Sequence, residues 1–362
     1  MLAVVLDTNA VYSDPWLASA PGKKLLELAA HGSCVVVYPQ VVIDELRRQR
    51  REAAEKAHRQ AANGVSDMEK AGVEVTQTAA HLKASFEKID LDLNTAFEAV
   101  LQLDNVVTAP VPDVAATEIL KRDLARRRPF MEVEVGQKSA SVGFRDTLIW
   151  ETVLAVLEQD ANYEKVLLAT ADKGFLSDDL KSLHEDLIDD LDGRHIDRKR
   201  AGSVKNVFNA NAEVGEAAAR AALVTAATDA LYELAGEDIS LQLVNSGDYD
   251  YPDFVQFEIP DMESASISYI DQTTAFEFAE DRSTRTVTAT ADALISIEGV
   301  VFKGDWLSDE GETMSLLGVL NDHYFEASSD VSVRVVVELD TSGDSPEVLS
   351  IVLQPGPASG SR

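Results

Sequence analysis

Residues 1–9 read MLAVVLDTN, an apolar run that ends in Asp7-Thr8-Asn9. The run predicts a buried strand, because parallel strands that are covered on both faces consist almost wholly of apolar residues. Further strands of this kind are predicted at Cys34 to Pro39 and at Lys165 to Thr170. Helical spacing in Gly22 to Ala30 and in Thr147 to Leu157 places helices between the strands. The alternation predicts an α/β domain with a central parallel sheet and helices on both faces.

Two stretches interrupt this alternation. Val41 to Ala62 and Ala79 to Leu103 are rich in helix formers and lack proline, which predicts a helical insertion at about residues 46–110. Thr108 to Gly143 then carries three prolines and a basic stretch from Lys121 to Arg128. We expect this stretch to be a basic loop or helix that leads directly into Asp146.

The pattern changes after residue 200. The charged run Asp197 to Ser203 is typical of a linker, and Val204 to Leu234 is an alanine-rich helical segment. Alternating apolar and polar residues then predict strands at Phe254–Ile259, Ala265–Ile270, Thr273–Phe278, Arg285–Phe302 and Val331–Leu339. We therefore predict domains at 1–200 and 201–362, the second being an acidic α+β domain with an antiparallel sheet and a disordered tail from Pro355.

The net charge of −31 argues against a protein that coats nucleic acid without specificity, because phosphate would be repelled at long range. The acidity is uneven: residues 1–200 hold 25 basic and 34 acidic residues, whereas 201–362 hold 7 and 29. The single cysteine, Cys34, and the absence of a secretion-signal pattern or a long apolar segment lead us to expect a cytoplasmic protein with no membrane span.

Four acidic residues follow predicted strands or begin predicted helices: Asp7, Glu45, Asp146 and Asp172. Each one alone is explained as a turn residue, a helix cap or a solvated first-turn acid. Together they lie at the ends of elements that an open α/β sheet brings to one edge, where such sheets bind their ligands. For Asp146 we also expect the start of the helix to favour the ionised carboxylate. We predict a single site built from these four carboxylates.

Clustered carboxylates repel one another and need compensating cations. Hard oxygen ligands with room for water suit Mg²⁺ or Mn²⁺. Such ions can activate water and neutralise charge on a phosphate, so hydrolysis of a phosphodiester is the chemistry that this pattern favours.

The same residues resemble the PIN-domain nucleases over about residues 1–190. The resemblance rests on Leu6-Asp7-Thr8-Asn9, Glu45, Phe144-Arg145-Asp146-Thr147-Leu148-Ile149-Trp150 and Thr170-Ala171-Asp172. It implies a central parallel sheet, divalent metal held by the four acids, and hydrolysis of RNA to a 5′-phosphate and a 3′-hydroxyl. It also implies that Thr8, Asn9 and Thr170 support the acids. The helical insertion and the C-terminal β-rich domain indicate a larger, bacterial-type member, for which a toxin role does not transfer.

Basic residues near the third acid are candidates for phosphate contacts with an RNA substrate, because such contacts position a strand without reading its sequence. They are Arg122, Arg126, Arg127, Arg128, Lys138 and Arg145. The alternative interpretation is a solvated charged surface. Trp150 shares the helix face of Asp146, and we predict that it belongs to the core rather than to a stacking surface.

Two other functions stay open from the sequence. The first is a catalytically weak or inactive scaffold that acts as an RNA- or protein-binding regulatory module, which Ala171 favours because the fourth motif more often reads Thr-Asn-Asp. The second is cleavage of DNA instead of RNA. The sequence does not decide the protein partner, the oligomeric state or the number of metal ions.

Overall fold

The computed structural model describes residues 1–135, 138–159, 163–239, 262, 264–281, 283–306, 314–343 and 345–356. It divides into two compact units, Met1–Ala218 and Ala219–Arg362. The sequence-based boundary at residue 200 lies before this division. The difference arises because a strand at Ala201–Val204 pairs with the first sheet, and because Val207, Ala210 and Val214 belong to the first hydrophobic core.

The first unit contains a parallel sheet and an antiparallel hairpin. Its strands are β1 Leu2–Leu6, β2 Cys34–Pro39, β3 Val106–Ala109, β4 Met131–Val135, β5 Lys138–Val142, β6 Lys165–Ala169 and β7 Ala201–Val204. The parallel sheet has the order β3-β2-β1-β6-β7, and β4 pairs with β5 in the hairpin. The predicted α/β class with a parallel sheet is confirmed. β1 is central, and all its residues are buried, as its apolar sequence requires.

Helices alternate with the strands of the first unit, and the last of these helices continues past residue 218 into the second unit. They are α1 Thr8–Val11, α2 Ala20–Ala30, α3 Gln40–Lys70, α4 Thr76–Glu87, α5 Ile89–Leu101, α6 Ala116–Leu124, α7 Phe144–Gln159, α8 Glu185–Gly193 and α9 Val207–Glu233. Helix α7 is the most apolar of the site-bearing helices, and Trp150 in it is fully buried, so its predicted place in the core is confirmed.

The predicted helical insertion corresponds to an arm made of α3, α4 and α5. Only Val42, Ile43 and Leu46 are buried in α3, and α4 has no buried residue. The chain returns to the core at Phe97. The strand β3, which the sequence interpretation placed inside or beside the insertion, pairs instead with β2 at the edge of the sheet.

The second unit contains an antiparallel sheet, as predicted. Its strands are β8 Ser264–Gln272, β9 Glu277–Asp281, β10 Thr286–Phe302, β11 Ser315–Val319, β12 Tyr324–Asp340 and β13 Glu347–Pro355. The long strands β10 and β12 pair over their whole length and bury alternate residues. The alternation of apolar and polar residues did not predict β11 and β13, in which most residues are exposed. The predicted strand at 254–259 and most of the predicted tail lie outside the described residues.

Within the part of the chain that the structure describes, no helix is both long and apolar enough to span a membrane.

Candidate active site

The four predicted acids line one cleft of about 800 Å³ in the first unit. Asp7 follows β1, Asp172 comes soon after β6, Glu45 lies in the second turn of α3 after β2, and Asp146 lies in the first turn of α7. The strands β2, β1 and β6 are parallel neighbours, so their carboxyl ends meet at one edge. From β1 the chain adds β2 and β3 on one side of the sheet, and it later adds β6 and β7 on the other side. Open α/β sheets form a ligand-binding crevice at such a reversal of strand order, which here lies between β1 and β6.

Asp7 is the most deeply buried of the acids, with 2% of its surface exposed. Its Oδ2 accepts a hydrogen bond of 2.7 Å from Thr170 Oγ1. Burial raises the pKa of Asp7 to about 6, the Thr170 hydrogen bond lowers it, and repulsion by Asp172 and Glu45 raises it further. Asp7 therefore changes its protonation near neutral pH when no cation is present.

Asp172 is held by its own turn and by a neighbouring segment. Its Oδ2 accepts a bond of 3.1 Å from Asn9 Nδ2, and its Oδ1 accepts one of 2.6 Å from the Gly174 N–H. The Asp172 N–H donates to Thr170 Oγ1 at 3.0 Å. The Thr170 hydroxyl therefore connects Asp7 and Asp172 across two adjacent strands.

Glu45 accepts hydrogen bonds through both carboxylate oxygens. Thr8 Oγ1 donates to Oε2 at 3.0 Å, and Gln49 Nε2 donates to Oε1 at 3.3 Å. Arg145 forms an ion pair with the same Oε1. Each of the supporting residues expected from the sequence, Thr8, Asn9 and Thr170, thus contacts one of the acids.

Asp146 has the higher of the two shifted pKa values. Burial raises the pKa of Asp146 to about 7, repulsion by Asp172, Asp7 and Glu45 raises it, and Arg145 lowers it. The position at the start of α7 was expected to favour the ionised form, but burial and neighbouring carboxylates outweigh the helix dipole. Gly143 precedes α7 with φ of +128°, and a Cβ there would lie 2.7 Å from the Pro129 carbonyl oxygen, so glycine is required at this entry.

The carboxylates do not form a closed metal cage. Among the described residues, no three His, Cys, Asp or Glu side chains converge as a metal-holding group. The oxygen donors nevertheless fit a hard divalent cation, because such an ion can keep several waters and take only one or two carboxylates directly. Burial is the main cause of the raised pKa values of Asp7 and Asp146, and repulsion by the neighbouring carboxylates adds to it.

Most of the basic stretch pairs with acidic residues of the first unit. Arg122 has 11% of its side chain exposed and pairs with Asp190 of α8. Arg127 also pairs with Asp190, at 3.0 Å. Arg126 pairs with Asp123 and Glu132.

Arg128 donates through its side chain to the Lys173 carbonyl and through its backbone to Asp186. The side chain of Lys138 lies outside the described residues. Arg145 is the one of the described candidates that lines the cleft, and 52% of its side chain is exposed. A phosphate contact by any of these basic residues stays a prediction.

Seven further residues line the cleft that the sequence did not assign to it as site residues: Tyr12, Gln49, Phe130, Ser141, Val142, Gly143 and Phe144. Gln49 could have been found, because it lies one helical turn after Glu45 and so shares its face of α3. Tyr12 and Phe144 lie close in sequence to Asp7 and Asp146, but their exposure depends on the tertiary structure.

We expect Thr170→Val to raise the pKa of Asp7 by roughly one unit, because the hydroxyl is the largest influence that lowers it. The measurement is an NMR titration of the Asp7 carboxyl carbon in metal-free protein. Thr152→Val is the matched control, since Thr152 is equally buried but donates to the Leu148 carbonyl within α7. An Asp7 pKa that is unchanged in Thr170→Val, or one that moves equally in both variants, would contradict the assignment.

Residues 4–175 match the family model described as PIN domain. No curated protein and no solved structure matches the chain.

Proposed function

Because residues 4–175 belong to the PIN-domain family, whose members are generally nucleases, we propose that this protein is a metal-dependent endoribonuclease. One observation carries the proposal: Asp7, Glu45, Asp146 and Asp172 line a single open cleft and are close enough for three of them to raise the pKa of the fourth. A cleft of this charge binds cations in preference to anions, and it can bind a polyanion only together with cations.

Asp7, Glu45, Asp146 and Asp172 would hold Mg²⁺ or Mn²⁺, partly through water. The bound ion would lower the pKa of an attacking water and neutralise charge on the phosphate, giving a 5′-phosphate and a 3′-hydroxyl. Thr170, Thr8 and Asn9 hold the acids in place through the hydrogen bonds described above. Their part is to keep the carboxylates oriented without reorganisation when substrate enters.

Arg145 would supply the phosphate contact at the mouth of the cleft. Its guanidinium is exposed and is paired only with Glu45 among the bonds that the structure gives it. A guanidinium can bind a phosphate through two parallel N–H bonds, which fixes orientation as well as charge.

The decisive experiment measures cleavage of matched RNA and DNA single strands by the full chain with Mn²⁺, with Mg²⁺ and with chelator. We expect cleavage of RNA that needs the ion, and a loss of about a hundredfold or more in Glu45→Gln. Asp44→Asn is the matched control, because Asp44 is the adjacent acid of α3, is exposed and bonds only to Gln40. Preferential cleavage of DNA would change the substrate and retain the site. No cleavage of either strand with either ion would overturn the proposal.

A second candidate is a regulatory module that binds RNA or protein without cleaving it. It is favoured by the lack of a convergent metal-holding group among the described residues and by the ion pair that Arg145 makes with Glu45. Binding of RNA that is equal with and without chelator, and equal in the parent chain and Glu45→Gln, would support it.

We expect Arg145→Ala to weaken RNA binding and to reduce the slope of log affinity against log salt by about 0.7, the value for one phosphate contact on a single strand. Fluorescence anisotropy of a labelled RNA at several salt concentrations measures both quantities. Arg198→Ala is the control, because Arg198 is similarly exposed and ion-paired, to Asp192, but does not line the cleft. An unchanged salt slope in Arg145→Ala would contradict the phosphate contact.

A further inference from the structure

Two exposed aromatic side chains stand in the carboxylate cleft. Tyr12 is 57% exposed and Phe144 is 55% exposed, and both line the cleft together with Asp7 and Asp146. The third aromatic residue of the cleft, Phe130, is buried and is explained by packing. Burying a ring such as Phe144 would gain about 2 kcal/mol. Two rings that stay exposed in the same cleft as the acids form a candidate ligand surface.

Tyr12 is held by a neighbouring helix. It directly follows α1 and lies five residues after Asp7. The Arg50 guanidinium of α3 lies over the ring at 5.5 Å from its centroid, and it also donates to the Tyr12 carbonyl oxygen. The ring is therefore anchored by Arg50 while more than half of the residue stays exposed.

Phe144 is held by the backbone. It is the first residue of α7 and lies two residues before Asp146. Position 143, directly before the helix, accepts only glycine, because its φ is +128° and a Cβ would lie 2.7 Å from the Pro129 carbonyl oxygen. Short stretches of chain thus connect both rings to acids of the site, and the ring positions follow the position of the carboxylates.

The combination fits one class of ligand. The acids with their cations and Arg145 recognise a phosphate, whereas flat apolar rings recognise the faces of nucleobases. A base offers its face to a side chain only when it is unstacked and unpaired, as in a single strand, a loop or an end. Stacking of this kind tolerates any base, because every base has a π-face.

We propose that Tyr12 and Phe144 are stacking platforms for the unpaired bases on the two sides of the bound phosphate, so that the site selects single strands over duplexes. The proposal rests on the proposed function for the presence of a polynucleotide, and it deepens that function by assigning the residues that determine strand selection. Tyr12 and Phe144 are specificity-determining residues in this proposal, distinct from the acids.

The test measures binding without cleavage, in the full chain carrying Asp7→Asn. Two probes are used with Mg²⁺ present: a labelled 12-nucleotide single-stranded RNA and the same strand paired to its complement. A DNA strand of the same sequence separates the contribution of the 2′-hydroxyl to affinity from that of base stacking. We expect Tyr12→Ala and Phe144→Ala each to weaken single-strand binding by about 5- to 100-fold, the range that loss of one base–aromatic stack produces.

Two further measurements separate stacking from a structural effect. Phe144→Trp and Tyr12→Phe should restore single-strand affinity, since both keep a flat ring. A 2-aminopurine base placed in the strand should lose fluorescence on binding when a ring stacks on it, and should keep it in the alanine variants. Phe208→Ala is the control, because Phe208 is an exposed phenylalanine of the same unit that does not line the cleft.

Several outcomes would overturn the proposal: equal affinity for duplex and single strand, alanine variants that bind like Phe208→Ala, or 2-aminopurine fluorescence that does not respond to the rings. These outcomes differ from a failure of the proposed function. A chain that binds single strands through Tyr12 and Phe144 but never cleaves them would retain the stacking platforms and exclude the nuclease. If the chain cleaves with Mn²⁺ and single-strand binding is unchanged in Tyr12→Ala and Phe144→Ala, the nuclease function is retained and the stacking platforms are excluded.

Discussion

Asp146→Asn should abolish cleavage and, at the same time, stabilise the metal-free protein at pH 8. Cleavage should fall by about a hundredfold or more, because the carboxylate is a proposed ligand of the ion. Stability should rise because Asp146 has a folded pKa of about 7 against an ordinary value of 3.8. A carboxyl whose pKa is raised on folding stabilises the fold below pH 4, and this contribution is lost as the pH rises to 7 and above. Asparagine cannot ionise and avoids the loss.

The size of the gain follows from the shift. A shift of about three pKa units corresponds to at most about 4 kcal/mol in the free energy of unfolding. Because Asp146 titrates together with Asp7, one substitution recovers only part of this, and we expect Asp146→Asn to raise the free energy of unfolding by about 2 kcal/mol at pH 8. Chemical denaturation with chelator at pH 4 and pH 8 measures it, and the difference between parent and variant should vanish at pH 4. Asp44→Asn should change stability at neither pH.

Adding Mn²⁺ should reverse the order of stability at pH 8. An ion that binds the folded state stabilises it by mass action, and the parent should gain more than the variant. A variant that cleaves normally, or one that is no more stable than the parent at pH 8 without metal, would remove Asp146 from the site.

Asp190→Ala should strongly destabilise the first unit, although Asp190 does not line the cleft. Asp190 accepts a hydrogen bond of 2.8 Å from the Trp150 Nε1 and pairs with Arg122 and Arg127, with 12% of its side chain exposed. Its loss would leave the buried Arg122 charge with the Arg128 carbonyl oxygen but without its carboxylate partner, which costs about 3–5 kcal/mol. Thermal and chemical denaturation should both report this loss.

The control for this substitution lies two residues further along α8. Asp192 pairs with Arg198, but both side chains are well exposed, and Asp192→Ala should leave the unfolding midpoint nearly unchanged. Equal effects of the two substitutions would mean that the Asp190 cluster is no more than a surface contact.

The elements that could be predicted from sequence are those whose pattern is local. The strands β1, β2 and β6 are uninterrupted apolar runs, and the acids that follow them meet because parallel neighbours end at one edge. The strands β3 and β7 were missed because each has only four residues, and most of these are not buried. Their identity as strands comes from pairing with β2 and β6, which no local pattern encodes.

The charged residues were harder to place for a related reason. The partner of Arg122 is Asp190 of α8, 68 positions away. The basic run therefore looks like a phosphate-binding segment in the sequence, but in the structure its charge is partly neutralised by an acidic helix. Arg145 differs because the acid it meets, Glu45, belongs to the cleft itself. Ionic partners are a tertiary property, and residue spacing alone does not distinguish a substrate contact from an internal ion pair.

The Thr170 hydroxyl links Asp7 to the segment of Asp172 and so determines which insertions and strand shifts the site can accept. Together with the backbone bond from the Asp7 N–H to the Ala169 carbonyl, it continues the pairing of β1 and β6 one step beyond the strands and into the cleft. Two of the acids therefore owe their spacing to the sheet and not to a loop. We expect insertions in α4, which has no buried residue, to leave the site intact. A shift of a single residue between β1 and β6 would instead separate Asp7 from Thr170.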